Sequence, residues 1–149
     1  MLDLAGTRVL MIETPIFAHF VKNMVRRTSF DLEVVGAVVN AGDALELIRT
    51  YQPDILIIDL QSSFQDGLNI LMKICSAYPN AQIIGRIKNT SYEFIIQAIS
   101  AGVKGFINDQ TPFSELVKAI QTVKQGYAFL PNNIANQFVT GLHQYPIVR

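Results

Sequence analysis

The feature that most limits the fold is a series of short apolar runs without polar alternation. DILIID (54–59) holds four aliphatic residues between two aspartates, and RVLMI (8–12), LEVVGAVV (32–39), AQIIGRI (81–87) and KGFIN (104–108) are similar runs. Strands that are apolar on both faces must be covered on both faces, which is the pattern of a parallel sheet clad with helices. The intervening stretches supply those helices. IFAHFVKNMVRR, after Pro15, has an apolar stripe at helical spacing, and AGDALELIRTY (41–51) reads as a second helix with Asp43 as its cap. Asp66 and Gly67 mark a loop before LNILMKICSAY. Ser91 caps YEFIIQAISAG, which Gly102 closes. Thr111 is the expected cap of FSELVKAIQTVKQG, with Pro112 at its first helical position. Five strand–helix pairs of an α/β domain result, and Pro131 and Asn132 predict a short sixth helix over PNNIANQFVTGL.

In such sheets, sites form beyond the carboxyl ends of the strands. Asp59 ends the central apolar strand. Glu13 and Thr14 follow the first, Ile87, Lys88 and Asn89 the fourth, and Asp109 the fifth, so four strand ends converge on one crevice. Crowded carboxylates raise one another's pKa unless a cation offsets them. Arg86 or Lys88 is therefore expected to pair with Asp59 or Asp109.

Composition narrows the function classes. The 149 residues are 50% hydrophobic and 16% charged, enough for one domain with a sizeable core. A formal net charge of +0 lacks the basic footprint of a nucleic-acid surface. Cys75 is the single cysteine; it fits a reducing compartment and reads as a small buried hydrophobe. The N-terminal MLDLAGTRVLMI is not a basic leader before a long apolar stretch, and no window offers ~18 uncharged apolar residues. A soluble, cytoplasmic chain without a membrane span is expected. His19, His143 and Cys75 have no metal-binding spacing. No GxGxxG, P-loop or GxSxG is present, so an enzyme of those types is not expected. Phe17, Phe20, Phe94 and Phe106 read as core.

The segments RVLMIE, LEVVGAVVNAGDALELIRTYQPDILIIDL, DGLNIL, AISAGVKGFIND and TPFSELVKAIQTVKQGYAFLP together resemble the receiver domain of bacterial response regulators, in the version that precedes a LuxR/NarL-type DNA-binding domain. The resemblance covers residues 7–141. It implies a flavodoxin-like (βα)5 fold, doubly wound, with a parallel sheet of order 2-1-3-4-5 and a short extra C-terminal helix. It divides the chain into a receiver over 1–130 and a helix or linker over 131–149, leading to a helix-turn-helix domain outside this chain.

The resemblance makes Asp59 the phosphoacceptor, a carboxylate nucleophile that becomes an acyl phosphate. Phosphoryl transfer depends mostly on positioning and charge stabilisation. The family supplies these through an acidic pair that holds Mg²⁺, a Ser/Thr and a Lys. Here the acidic pair maps to Glu13 and Thr14, the hydroxyl position to Ile87 and the Lys position to Asp109. Glu13, Asp59 and Gln61 remain as a poorer ligand set for Mg²⁺. Phe106 matches the aromatic switch position; Thr14, Ile87, Asp109, Arg86 and Lys88 complete the switch and rim.

The expected function is an atypical receiver of a two-component transcriptional regulator, with impaired or absent Mg²⁺-dependent phosphorylation at Asp59, acting through dimerisation or partner contacts. One alternative is a working phosphoacceptor served by a histidine kinase. The other is a small-molecule-binding module of the same fold with an apolar pocket near Ile87. Expected partners are a second copy through 91–124, a histidine kinase, and DNA only through a separate C-terminal domain, with no membrane.

Overall fold

The structure, a computed structural model, describes residues 5–61, 64–88 and 91–144. Five strands, β1 (Thr7–Ile12), β2 (Leu32–Val38), β3 (Ile55–Asp59), β4 (Ile83–Arg86) and β5 (Val103–Ile107), alternate with helices α1 (Pro15–Arg27), α2 (Ala41–Tyr51), α3 (Phe64–Ala77), α4 (Tyr92–Ala101) and α5 (Phe113–Lys124). Helix α6 (Asn132–Gln144) follows. The sheet is parallel, in the order β2-β1-β3-β4-β5. This is the flavodoxin-like arrangement that the sequence resemblance implies. No helix among the described residues is long and apolar enough to cross a membrane.

The absence of polar alternation has a direct structural cause. Val9, Met11, Ile55, Ile57 and Ile84 point into one apolar layer with Val21, Val117 and Ile120 of α1 and α5. Their neighbours Leu10, Ile12, Leu56, Ile58 and Ile83 point into the other, with Ile48, Leu71, Ile74 and Ile95 of α2, α3 and α4. Successive strand side chains alternate faces, and both faces are dry. Ile134 of α6 is 3% exposed and belongs to this second layer. Cys75 packs against the same layer, half-buried, and burial pushes its thiol up despite the nearby Lys104.

Local structure departs from the sequence reading at three places. The cap of α2 is Asn40, not Asp43: Asp43 N donates to Asn40 Oδ1 at 2.8 Å, and Asn40 Nδ2 donates back to the Asp43 carboxylate at 3.0 Å. Pro112, not Thr111, occupies the cap position of α5. The Thr111 hydroxyl instead accepts from Asn108 N at 2.9 Å, closing the turn after β5. Asp66 and Gly67 are not a loop but lie in the first turn of α3. Asp66 there suits the positive end of the helix dipole. Gly67 lets α3 sit directly on the end of β3, since a Cβ would lie 2.8 Å from Leu60 Cδ2 and 3.0 Å from Asp59 O. Ser91 and Gly102 cap α4 as expected.

Gly67→Ala tests that close approach. On a free helix surface the change gains about 1 kcal/mol. Here an overpacking cost of about 1–3 kcal/mol opposes it. A net loss of stability in urea denaturation is expected; a net gain means α3 is not held against Asp59 and Leu60.

Candidate functional site

The carboxyl ends of β1, β3 and β4 and the loop after β5 form one crevice. Register aligns its parts: Ile12 is opposite Ile58, and Asp59 is opposite Arg86. Glu13 therefore follows β1 beside Asp59, and Arg86 is the last residue of β4. Asp109 enters two residues beyond β5.

Arg86 is the centre. Its Nε donates to Glu13 Oε2 at 2.9 Å and its Nη2 to Glu13 Oε1 at 2.8 Å, a bidentate pair. Its Nη1 donates to Asp109 Oδ1. Nη2 also lies 3.6 Å from Asp59 Oδ1, an ion pair. The guanidinium stacks over the Phe17 ring at 4.4 Å from its centroid. Arg86 and Glu13 are each only 3% exposed, whereas the Asp109 side chain is 40% exposed. One cation thus ties together three carboxylates from three parts of the chain.

Neighbouring residues fix this geometry. The Thr14 hydroxyl caps α1 by accepting from Phe17 N at 3.4 Å, which sets the helix that carries the Phe17 ring. Gln61 N donates to Asp59 Oδ1 at 2.9 Å, and Gln61 Nε2 donates to Asp109 Oδ2 at 3.2 Å. Asp59 also borders a cleft of about 270 Å³ walled by Thr14, Pro15, Val39 and Ile70, with Asp66 at its edge. Ile87 and Phe106 are 1% and 0% exposed and pack into the second apolar layer. Lys88 is exposed. Asn89 lies outside the described residues, as do residues 145–149 of the C-terminal segment.

Electrostatics follow from burial. Burial pushes Glu13 up from 4.5 to about 7, against the hydrogen bonds and charge of Arg86, which lower it; Asp59 adds a smaller raising effect. Burial alone would lower Arg86, but the Glu13 hydrogen bond and charge outweigh it, with help from Asp59 and Asp109, so its pKa is raised. Arg86 stays charged.

Mg²⁺ fits this donor set poorly. Both Glu13 oxygens already accept from Arg86, and the guanidinium supplies positive charge within 3.6 Å of Asp59. Among the described residues, no group of three or more His, Cys, Asp or Glu side chains is placed to hold a metal ion.

Of the residues singled out from sequence, the structure brings Glu13, Asp59, Gln61, Arg86 and Asp109 into one hydrogen-bonded and ion-paired group. Thr14 borders it as a helix cap, and Lys88 stays outside. Phe17, read from sequence as core, packs against the first apolar layer and also forms the aromatic floor beneath Arg86. The signal available for it was its place three residues after the cap Thr14, in the first turn of α1.

The family model described as "Response regulator receiver domain" matches residues 9–121. The Fimbriae Z protein of Salmonella typhimurium is 26% identical over 128 residues, covering 86% of this chain and 60% of its own length. The oxygen regulatory protein NreC of Staphylococcus haemolyticus is 28% identical over 126 residues, covering 81% and 58%. The chain therefore spans about 60% of the length of these relatives. A LuxR-family two-component response regulator from Aurantimonas sp. SI85-9A1 superposes with a TM-score of 0.81 at 24% identity, over 93% of this chain and 99% of that one.

Two measurements check the electrostatics. Arg86→Met leaves a buried carboxylate unpaired, so a loss of about 3–5 kcal/mol is expected in urea denaturation; a loss below ~1 kcal/mol is incompatible with the bridge. The second concerns pH. Glu13 binds its proton more tightly folded than unfolded between 4.5 and about 7. Stability from this group is therefore full below 4.5 and falls as pH rises towards 7, by on the order of 2–3 kcal/mol. The wild-type stability minus that of Glu13→Gln should decline across that window; a flat difference contradicts the raised pKa.

Proposed function

Because the chain belongs to the response regulator receiver family, we propose that it is the signal-receiving unit of a LuxR/NarL-type transcriptional regulator in which a fixed arginine has replaced metal-dependent phosphorylation as the organiser of the site. The single observation that carries this reading is Arg86 bonded to Glu13 and Asp109 and paired with Asp59.

The chemistry follows from the charges. A phosphoryl group arriving at Asp59 adds negative charge to a crevice that already holds three carboxylates and one shared guanidinium. Asp109 repels it where the family places a Lys. Ile87 offers no hydroxyl to hold its oxygens. Each missing donor removes about 3 kcal/mol of transition-state stabilisation, by analogy with other preorganised donors. Even a phosphorylated Asp59 would lack a hydroxyl to pull, so the link from phosphate to conformation is cut. On this reading the domain works in the cytoplasm through protein contacts: a second copy across the 91–124 region, and DNA through a separate domain.

One observation favours a second reading. Asp59 borders an open cleft, which suits a retained phosphoacceptor approached by a histidine kinase.

The test is incubation with Mg²⁺ and acetyl phosphate, followed by intact mass spectrometry, with Asp59→Asn as control. No phosphoryl adduct on the folded wild type is expected. An adduct that disappears in Asp59→Asn overturns the proposal in favour of the second reading.

A further inference from the structure

Helix α4 and the outer edge of β5 lie inside the 91–124 region, and the C-terminal segment already occupies both. Phe106 N donates to Phe129 O at 3.0 Å, and Phe129 N donates to Lys104 O at 3.1 Å. Asn108 N, just beyond β5 on the same side, donates to the Thr111 hydroxyl at 2.9 Å. The edge is closed from within, which keeps it from pairing with another chain. Beyond Phe129, α6 lies on α4. Its docked face is Ile134, Phe138 and Gly141, spaced i, i+4, i+7. Ile134 is buried in the second apolar layer, and the Phe138 ring lies 5.9 Å from the Tyr92 ring. A Cβ on Gly141 would fall 2.0 Å from Tyr92 Cδ2, so glycine is what lets the α6 backbone rest on that ring.

This cover is complete but lightly held. Helix α6 touches the domain chiefly through α4 and brings no Lys, Arg, Asp or Glu to it. A helix of 13 residues is marginal in water by itself, so the helicity of α6 depends on those few docked positions. One surface cannot be occupied twice. A second copy that reaches the β5 edge or α4 has to displace Phe129 or α6. Association then draws only on the released fraction, and the apparent affinity falls in proportion.

We propose that residues 127–144 are an autoinhibitory strap, latched by Gly141 on Tyr92, that closes the α4–β5 face to a second copy of this chain until it is released. The proposal rests on the reading that the domain acts through a second copy across 91–124, and adds the regulation of that contact.

The experiment is sedimentation equilibrium of the full chain over a concentration series, with amide hydrogen exchange across residues 127–144 as the readout of the strap. Gly141→Val drives a side chain into Tyr92, and Ile134→Asp puts a charge into the apolar layer. Each should release the strap, seen as faster exchange there, while protection of the β1 and β3 amides shows that the sheet stays folded. Adding Tyr92→Ala to Gly141→Val removes the clash and should restore slow exchange. Wild type and this double variant should stay monomeric at concentrations where the two released variants dimerise, with an apparent affinity at least about tenfold higher. Exchange that is unchanged in both single variants overturns the latch. A wild-type dimer that the released variants only match or weaken overturns the strap and leaves the second-copy reading in place. Released variants that stay monomeric at every concentration overturn both.

Discussion

Arg86 is a charge taken almost entirely out of water, and the crevice is arranged around that fact. Burying a guanidinium costs several kcal/mol unless its donors are satisfied and an opposite charge is close. Here Nε and Nη2 go to Glu13, Nη1 goes to Asp109, Asp59 lies within ion-pair distance, and the flat face rests on Phe17. The converse also holds. Strand register sets Glu13 beside Asp59, and the cation in contact with both offsets their charges. The bridge joins the end of β1, the end of β4 and the loop after β5, so site chemistry and fold stability are coupled.

In the function proposed above, that coupling separates this crevice from one that works by binding an ion. A metal or phosphoryl group arrives and leaves, and a two-state element responds to it. A guanidinium on a strand end is always present. The parts around it are equally fixed: Ile87 and Phe106 are buried in the second apolar layer, Thr14 is committed to capping α1, and the backbone of Gln61 holds Asp59. Burial still pushes Glu13 up to about 7. Loss of water around the carboxyl is the main cause, and the Asp59 charge adds a smaller part, against the opposing pull of Arg86. The C-terminal segment has a comparable effect at the sheet edge. Phe129 pairs with β5 and α6 packs on α4, so the C-terminal segment covers part of that side.

Much of this was legible in local residue identity. The five apolar runs specify a sheet covered on both sides because each strand feeds two separate layers. Asp59, Glu13 and Asp109 at strand ends specify a carboxylate-rich crevice, and Ile87 has no hydroxyl in any conformation. The sixth helix was signalled by Pro131 and Asn132. The misreadings have different causes. Asp66 and Gly67 carry turn chemistry, yet Gly67 serves close packing of α3 against Leu60, a contact between elements. Thr111 looks like a cap, yet its hydroxyl is taken by Asn108 N three residues back, a local turn bond that outcompeted the helix cap.

The sequence by itself determined the layer architecture, the acids at the crevice and the need for a cation beside them, since these follow from residue type and order. Only the tertiary structure decided which cation answers. Arg86 and Lys88 are two residues apart and would share a face if β4 continued. The strand ends at Arg86, held in register by Asp59 and Ile107 on either side, and Lys88 turns out to solvent. Where a strand stops depends on the neighbours it pairs with, and those neighbours lie 27 and 21 residues away in the chain, from the numbering 86 − 59 and 107 − 86.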